Sequence, residues 1–208
     1  MTSAGDHIFW ITSRAAGICA LVLASLAVAA GLAISMRGPI VRGRAAQLRT
    51  LHEALSIGAL AALAVHGLAL LGDGYVNAGL LDVTIPFSIG YRPVWTAVGI
   101  VAAYGLAALS LSYYARSRIG AARWRSMHRF IAVFWLLGVI HTLGAGTDAG
   151  QAWFLVLGSV VVGPPLVLLA ARIGGSSSQP RAGSASWSAR PSSVPSDARL
   201  ARRGSERR

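Results

Sequence analysis

The sequence predicts an all-α membrane protein, a bundle of five transmembrane helices followed by a disordered basic C-terminal tail. Hydrophobic residues make up 54% of the 208 residues and charged residues only 12%, and the mean hydropathy is +0.58. A soluble domain of this length has to cover its surface with more polar groups. The apolar residues are concentrated in five uncharged stretches of membrane-spanning length. Along the chain, the connections between these stretches are alternately rich and poor in arginine.

The first span is predicted at residues 10–36. It is uncharged from residue 15 onwards, and Arg14 is the one charged residue at its beginning. The stretch is too long for a signal peptide and no basic region precedes it, so we expect a retained helix. The second span is predicted at residues 48–71, where the stretch 54–71 carries no charge.

Three further spans are predicted at residues 93–115, 125–146 and 152–172. Each of the five uncharged stretches has roughly 18–23 residues, close to the 20 or so needed to cross a hydrocarbon core. Residues 173–208 are rich in Ser, Arg, Gly and Pro. Because such a composition cannot form a core, we predict a disordered cytoplasmic tail.

The distribution of charge predicts the topology. The formal net charge is +12, yet all basic residues are arginines, and they cluster between the apolar stretches and in the tail. This arrangement argues against nucleic-acid binding and for a membrane surface. Residues 72–92 contain one arginine and two aspartates, and the last short loop contains only Asp148. By the positive-inside rule, we expect a multi-pass protein of the cell membrane with its N-terminus outside and its C-terminus cytoplasmic. The arginines of the two inner connections are Arg37, Arg42, Arg44, Arg49, Arg116, Arg118, Arg123 and Arg125.

Four histidines lie within two of the predicted spans. His52 and His66 are 14 residues apart on the second span, and His128 and His141 are 13 apart on the fourth. The two spans cross the membrane in the same direction, and both intervals correspond to about 20 Å along a helix. We therefore expect His52 to lie level with His128 near the inner face, and His66 level with His141 near the outer face.

Two facing imidazoles can hold a haem iron from both sides of the macrocycle. A structural zinc ion normally takes four ligands, and each level offers only two. A proton relay would use histidines without needing matched pairs at two depths. Haem therefore accounts best for the number, the pairing and the apolar surroundings of the histidines.

The helical angle between the fourth-span histidines does not fit this arrangement directly. Fourteen residues place His52 and His66 within roughly 40° of each other, but thirteen leave His128 and His141 roughly 140° apart on an ideal helix. Either the fourth span is distorted or the two haems are displaced sideways.

Several motifs resemble the ferric reductase-like transmembrane family, which includes the haem-bearing domains of ferric reductases and NADPH oxidases. It also includes the membrane subunit of a bacterial methionine sulfoxide reductase system. The resemblance covers about residues 8–172. It rests on the two histidine spacings, on "SRAAG" at 13–17, on "PF" and "YRPVWTAVG" between 86 and 99, on "WRSMHR" at 124–129 and on "HTLGAGTD" at 141–148.

The resemblance implies a b-type cytochrome-like electron carrier that binds one or two haem b groups. It makes His52 and His128 the ligands of the inner haem iron, and His66 and His141 those of the outer one. Electrons in the family pass from a cytoplasmic donor to an acceptor on the outer side. Because no flavin or nicotinamide domain is recognisable after residue 171, we expect a separate cytoplasmic or quinol donor, so the chain is the electron-transfer component of an oxidoreductase.

Arg14 has two interpretations from the sequence. A charge just inside the outer end of a span must be paired or must reach the headgroups, so Arg14 contacts either a propionate of the outer haem or lipid.

Two alternative functions remain for the protein as a whole. One is a haem-free transporter or channel subunit that handles protons or metal ions with its histidines, and the other is a haem sensor or assembly subunit.

Overall fold

The computed structural model describes residues 4–36 and 43–177, and their side chains at residues 7–36 and 43–174. Within these ranges the chain is built from helices and contains no strand. The predicted all-α class is confirmed. Arg37, Arg42 and residues 178–208 lie outside the described residues, so the disorder of the tail stays a prediction.

Five helical stretches are long and apolar enough to cross a membrane, which confirms the five-span fold. They are His7–Met36, Ala45–Leu70, Pro93–Leu111, Ala121–Ala145 and Ala152–Gly174. In chain order the helices are α1 Ala4–Met36, α2 Ala45–Leu70, α3 Leu80–Thr84, α4 Pro93–Leu111, α5 Arg116–Ile119, α6 Ala121–His128, α7 Ile131–Ala145 and α8 Ala152–Ser177.

Several helix ends differ from the predicted ones. α4 ends at Leu111 rather than near residue 115, because the chain turns there and the N–H of Tyr113 bonds the carbonyl of Ser110 at 3.2 Å. α8 continues to Ser177, beyond the predicted boundary of 172. The α2 and α6 helices begin a few residues earlier than predicted, within the arginine-rich connections, because arginine is a good helix former.

The fourth span is interrupted directly after His128, between α6 and α7. The N–H of Phe130 donates to the carbonyl of Met127 at 3.0 Å, and Nε of Arg129 donates to the carbonyl of Ser126 at 3.0 Å. Bonds to the third preceding residue wind the chain by about 120° per residue instead of 100°. This reduces the angle that separates the two histidines of the fourth span, so distortion of the span is the alternative that the structure supports.

α1 is the central helix of the bundle. It packs along α2 over most of its length and also contacts α7 and α8, while α4 packs on α7. α2 and α4 contact each other only slightly. The bundle is therefore two packed pairs, α1 with α2 and α4 with α7, which leave a space between them.

A buried tryptophan and serine connect the two pairs. Trp135 of α7 is 1% exposed and its Nε1 donates to Oγ of Ser25 on α1, which is fully buried, at 3.0 Å. Val28, Leu32 and Val162 complete the buried cluster around the indole. Because an indole N–H in an apolar core needs an acceptor, this bond fixes α7 against α1.

We expect Ser25→Ala to destabilise the protein by about 1–2 kcal/mol, because it leaves the Trp135 N–H without its acceptor. Reversible unfolding of the purified protein in mixed micelles measures the change. Ser159→Ala is the matched control, since the Ser159 hydroxyl is exposed and bonds only the carbonyl of Leu155 on its own helix. Equal stability of the two variants would contradict the role assigned to the buried bond.

Two facing histidine pairs in a central cavity

The space between the helix pairs is a cavity of about 620 Å³, and all four span histidines line it. Most of the other lining residues are apolar, among them Leu21, Ala24 and Leu106. Such a volume lies within the range of pockets that hold small molecules and cofactors. The four imidazoles therefore face a mostly apolar space, whose charged lining residues are Arg14, Asp73 and Asp148.

The structure brings the histidines together in the two predicted combinations. The ring centroids of His52 and His128 are 6.3 Å apart and the ring planes are perpendicular. Those of His66 and His141 are 6.4 Å apart with an interplanar angle of 70°. His52 and His128 lie toward the arginine-rich end of the bundle, which carries Arg44, Arg49 and the arginines of α5 and α6. His66 and His141 lie toward the opposite end.

Every one of the four rings is held through Nδ1 by a backbone carbonyl of a neighbouring helix. The partner carbonyl belongs to Ala27 for His52, at 2.9 Å, and to Ser13 for His66, at 2.8 Å. It belongs to Leu109 for His128, at 3.3 Å, and to Trp95 for His141, at 2.8 Å. A carbonyl can only accept, so the proton of each neutral ring sits on Nδ1 and the lone pair on Nε2.

Three of the four contacts share one local arrangement, a glycine four residues after the accepting carbonyl. Gly17 follows Ser13, Gly31 follows Ala27 and Gly99 follows Trp95 by four positions. In a helix the carbonyl of residue i points at residue i+4. A side chain at that position would occupy the place of the histidine ring.

The geometry at these glycines shows how closely the rings approach. A Cβ atom added at Gly99 would lie 2.5 Å from Nδ1 of His141. At Gly17 it would lie 3.1 Å from Nδ1 of His66, and at Gly31 3.2 Å from Cε1 of His52. A Cβ would therefore clash with the imidazole at position 99, whereas at positions 17 and 31 the ring would have to move by a few tenths of an ångström.

His128 lacks this arrangement and is held differently. The residue four positions after Leu109 is Tyr113, and the Nδ1 bond of His128 is the longest of the four. Its ring instead stacks on Trp124 of α6, with centroids 4.8 Å apart and planes at 24°. The Trp124 indole donates to Oγ of Ser112 at 3.1 Å, so the stacking partner is itself fixed.

Arg14 forms an ion pair with Asp148 at the opposite end of the cavity, a partner that neither interpretation from the sequence named. Asp148 lies in the loop between α7 and α8 and is only 9% exposed. The Arg14 guanidinium also lies 5.0 Å from the centroid of the Trp10 ring. Both members of the ion pair line the cavity next to His66 and His141, and they connect α1 to the α7–α8 loop.

The chain matches the family model described as "Ferric reductase like transmembrane component" over residues 16–139. The match covers more than half of the chain. The chain belongs to the ferric reductase-like transmembrane family. The match includes His52, His66 and His128 and ends two residues before His141.

Membership of the ferric reductase-like family makes this a membrane component of oxidoreductase type. No curated protein and no solved structure matches the chain significantly. Among the described residues there is also no group of three or more His, Cys, Asp or Glu side chains that could hold a metal ion. Each level therefore brings two imidazoles together.

Several contributors to the site were not identified from the sequence. Gly17, Gly31 and Gly99 were missed, although Gly17 and Gly31 are 14 residues apart, the same spacing as His52 and His66 on the adjacent helix. Gly67 and Gly138 also line the cavity, and an added Cβ at either position would have no atom within 4 Å. The burial of Asp148, in a short loop, was not predicted either.

We expect Asp148→Asn to destabilise the protein by about 1–3 kcal/mol, because it leaves the Arg14 charge without its partner in a poorly solvated place. The double variant Arg14→Gln with Asp148→Asn should be more stable than the sum of the single changes predicts. Reversible unfolding of the four proteins gives the coupling energy. Glu53→Gln is the control, since the exposed Glu53 accepts only the Tyr114 hydroxyl, at 3.3 Å, and additive single effects would contradict the coupling.

Proposed function

We propose that the protein is a b-type cytochrome-like membrane subunit that carries electrons across the membrane through one or two bis-histidine haems. It acts as the electron-transfer component of a ferric reductase-like oxidoreductase. The observation that carries this proposal is the pair of facing imidazoles at each of two levels, with all four Nε2 atoms left free of backbone bonds.

The separation of the rings fits one metal ion between each pair. A first-row metal binds an imidazole nitrogen at about 2.0–2.1 Å. Adding about 1.1 Å from that nitrogen to the ring centroid on both sides gives an expected centroid separation of about 6.3 Å. The distances of 6.3 and 6.4 Å agree with this value. The residues proposed as ligands are His52 and His128 for one haem iron, and His66 and His141 for the other.

The hydrogen bonds at Nδ1 support ligation in a second way. Histidines that bind metals usually donate the other ring N–H to a carbonyl or carboxylate, which fixes the tautomer and raises the basicity of the ligating nitrogen. Here the carbonyls of Ala27, Ser13, Leu109 and Trp95 provide this support. Each imidazole is thus prepared to coordinate before any metal arrives.

Haem, when bound, supplies one-electron chemistry, and the protein supplies ligation, insulation and electrostatics. The mostly apolar lining disfavours water in the space between the two levels. His52 and His66 are about 21 Å apart along α2, which places the two sites in succession across the membrane.

Arg14 is proposed to contact a carboxylate of the haem nearest His66 and His141. Its pair with Asp148 uses one of the five N–H groups of a guanidinium, so others remain to donate. Asp148 would then orient Arg14 toward the cavity as well as partly balance its charge.

The orientation and the partners are also part of the proposal. The arginine-rich end is proposed to face the cytoplasm, with the N-terminus outside and the C-terminus inside the cell membrane. A separate donor, either a cytoplasmic flavoprotein or a quinol, would deliver electrons at that end. The acceptor would bind at the opposite end, and lipid would surround the exposed faces of the spans.

We expect the four histidine variants to behave as two pairs. In dithionite-reduced minus oxidised spectra with haem quantitation, His52→Ala and His128→Ala should lose the same spectral component. His66→Ala and His141→Ala should keep that component and lose the other one, if two haems are bound. If one haem is bound, the variants of one pair lose it and those of the other pair retain it.

His7→Ala is the control, because His7 does not line the cavity and should leave the spectrum unchanged. Loss of the same component in His52→Ala and His66→Ala would contradict the assignment of levels. A purified protein that shows no reducible Soret band after supplementation with haem would contradict the function and favour a haem-free transporter.

We expect Gly99→Ala to remove or weaken the haem bound by His66 and His141, because the new methyl group displaces the His141 ring from the Trp95 carbonyl. The change should also destabilise the protein by about 1–3 kcal/mol through overpacking. Haem quantitation and the reduced spectrum measure the first effect.

Gly58→Ala is the matched control, because an added Cβ there meets only Leu23 Cδ1 at 3.4 Å. It makes the same substitution within a span and should keep both haem content and spectrum. A normal spectrum for Gly99→Ala would show that the close contact at Gly99 does not position His141.

A further inference from the structure

The connection between α2 and α4 has an unusual surface. It contains the short helix α3, and several large apolar side chains of this connection are exposed. Among residues 74–91 the only charged side chain is that of Asp82. In a loop surrounded by water, such a concentration of exposed apolar groups would be unfavourable. The exposed side chains and their exposed fractions are Tyr75 80%, Leu80 66%, Leu81 66%, Ile85 47% and Phe87 68%.

A hydrogen bond shows how deep this connection reaches. The hydroxyl of Tyr104 on α4 donates to the carbonyl of Thr84, the last residue of α3, at 2.7 Å. Tyr104 is 11 residues after Pro93, where α4 begins, which places its Cα about 16 Å along the helix. A tyrosine side chain extends back toward the helix start by about 6 Å. The Thr84 carbonyl therefore lies about 10 Å below the beginning of α4.

The length of α4 turns this distance into a depth within the membrane. Its 19 residues correspond to about 28 Å, close to the 30 Å or so of a hydrocarbon core. α4 cannot extend far beyond the core and still cross it. A point about 10 Å below its beginning therefore lies inside the acyl region of that leaflet.

Several polar backbone groups of the connection have partners within the protein. Polar backbone groups within the hydrocarbon need partners from the protein. The Thr84 carbonyl has the Tyr104 hydroxyl, and the Leu80 carbonyl accepts the Thr84 hydroxyl at 2.7 Å. Asp82 accepts the N–H of Gly79 at 2.9 Å at the start of α3, where a carboxylate is favoured by the helix dipole.

The two sides of the connection have different surroundings. Val83, Thr84 and the buried Ile89 line the cavity, whereas Leu81, Ile85 and Phe87 are exposed on the outside. α4 likewise exposes apolar side chains that do not line the cavity, among them Val94 and Val101. These side chains belong to a membrane-spanning helix and face lipid.

We propose that residues 79–88 form a re-entrant segment that inserts into the lipid leaflet at the His66–His141 end, between α2 and α4. Its outer side contacts acyl chains, and its inner side closes the cavity where the two helix pairs do not meet. The segment enters and leaves on the same side of the membrane, so the protein would have five spans and one half-inserted connection.

Fluorescence quenching of single labelled cysteines tests the insertion. Cys19 is first replaced by alanine, because it is the one cysteine of the chain and is exposed. Leu81→Cys is then labelled with bimane in protein reconstituted into lipid nanodiscs, where both membrane sides are accessible. Val101→Cys is the control for a lipid-facing span, and Gln151→Cys, in the exposed turn before α8, is the control for water.

We expect the label at Leu81 to be quenched by doxyl-labelled lipid about as strongly as the label at Val101. Its quenching by iodide should be several-fold weaker than at Gln151. Iodide quenching equal to that at Gln151 would place the segment in water and overturn the proposal. Protection from both quenchers would place the side chain against protein and overturn it equally. Ile85→Cys gives the same test should Leu81→Cys not retain its helical circular dichroism and monodisperse elution.

Discussion

The organisation of the site depends on one contact, the approach of a histidine ring to a helix carbonyl over a glycine. A helix carbonyl already accepts an N–H within its own helix, but its second lone pair remains available. Glycine at the fourth following position opens access to that lone pair. The contact meets two needs at once, because it satisfies the Nδ1–H of a ring in an apolar interior and fixes which nitrogen faces the cavity.

α1 and α2 make this contact twice, and one alignment of the two helices produces both contacts. The two helices run in opposite directions, and the interval from Gly17 to Gly31 equals the interval from His52 to His66. Because 14 residues are close to four helical turns, both glycines lie on one face of α1 and both histidines on one face of α2. Aligning one histidine with its glycine therefore aligns the other.

The sequence was sufficient to predict the parts of the structure that depend on amino-acid composition and on the regular rise of the α-helix. Hydropathy and the placement of arginines predicted five spans, and helical rise predicted which histidines share a level. The equal glycine and histidine spacings were visible, but they gain meaning only once α1 and α2 are known to be neighbours. The Arg14–Asp148 pair joins positions 134 residues apart, and α3 has only five residues, too few to show a period. Such features depend on tertiary packing.

The two histidine pairs differ in how firmly the backbone holds them, and the break in the fourth span accounts for the difference. His66 and His141 both have 2.8 Å bonds to carbonyls followed by glycines. At the other level, the Leu109 carbonyl lies in the last turn of α4 and also accepts the Ser112 hydroxyl at 2.7 Å. The His128 contact with this carbonyl is longer, at 3.3 Å, and stacking on Trp124 adds to the positioning of the ring. Thirteen residues of regular helix could not direct both His128 and His141 toward α2. Because the helix is interrupted at Arg129 and Phe130, the packing of α6 sets the orientation of His128, and the packing of α7 sets that of His141. Two facing pairs thus arise from histidine spacings that differ by one residue, because one helix is regular and the other is not.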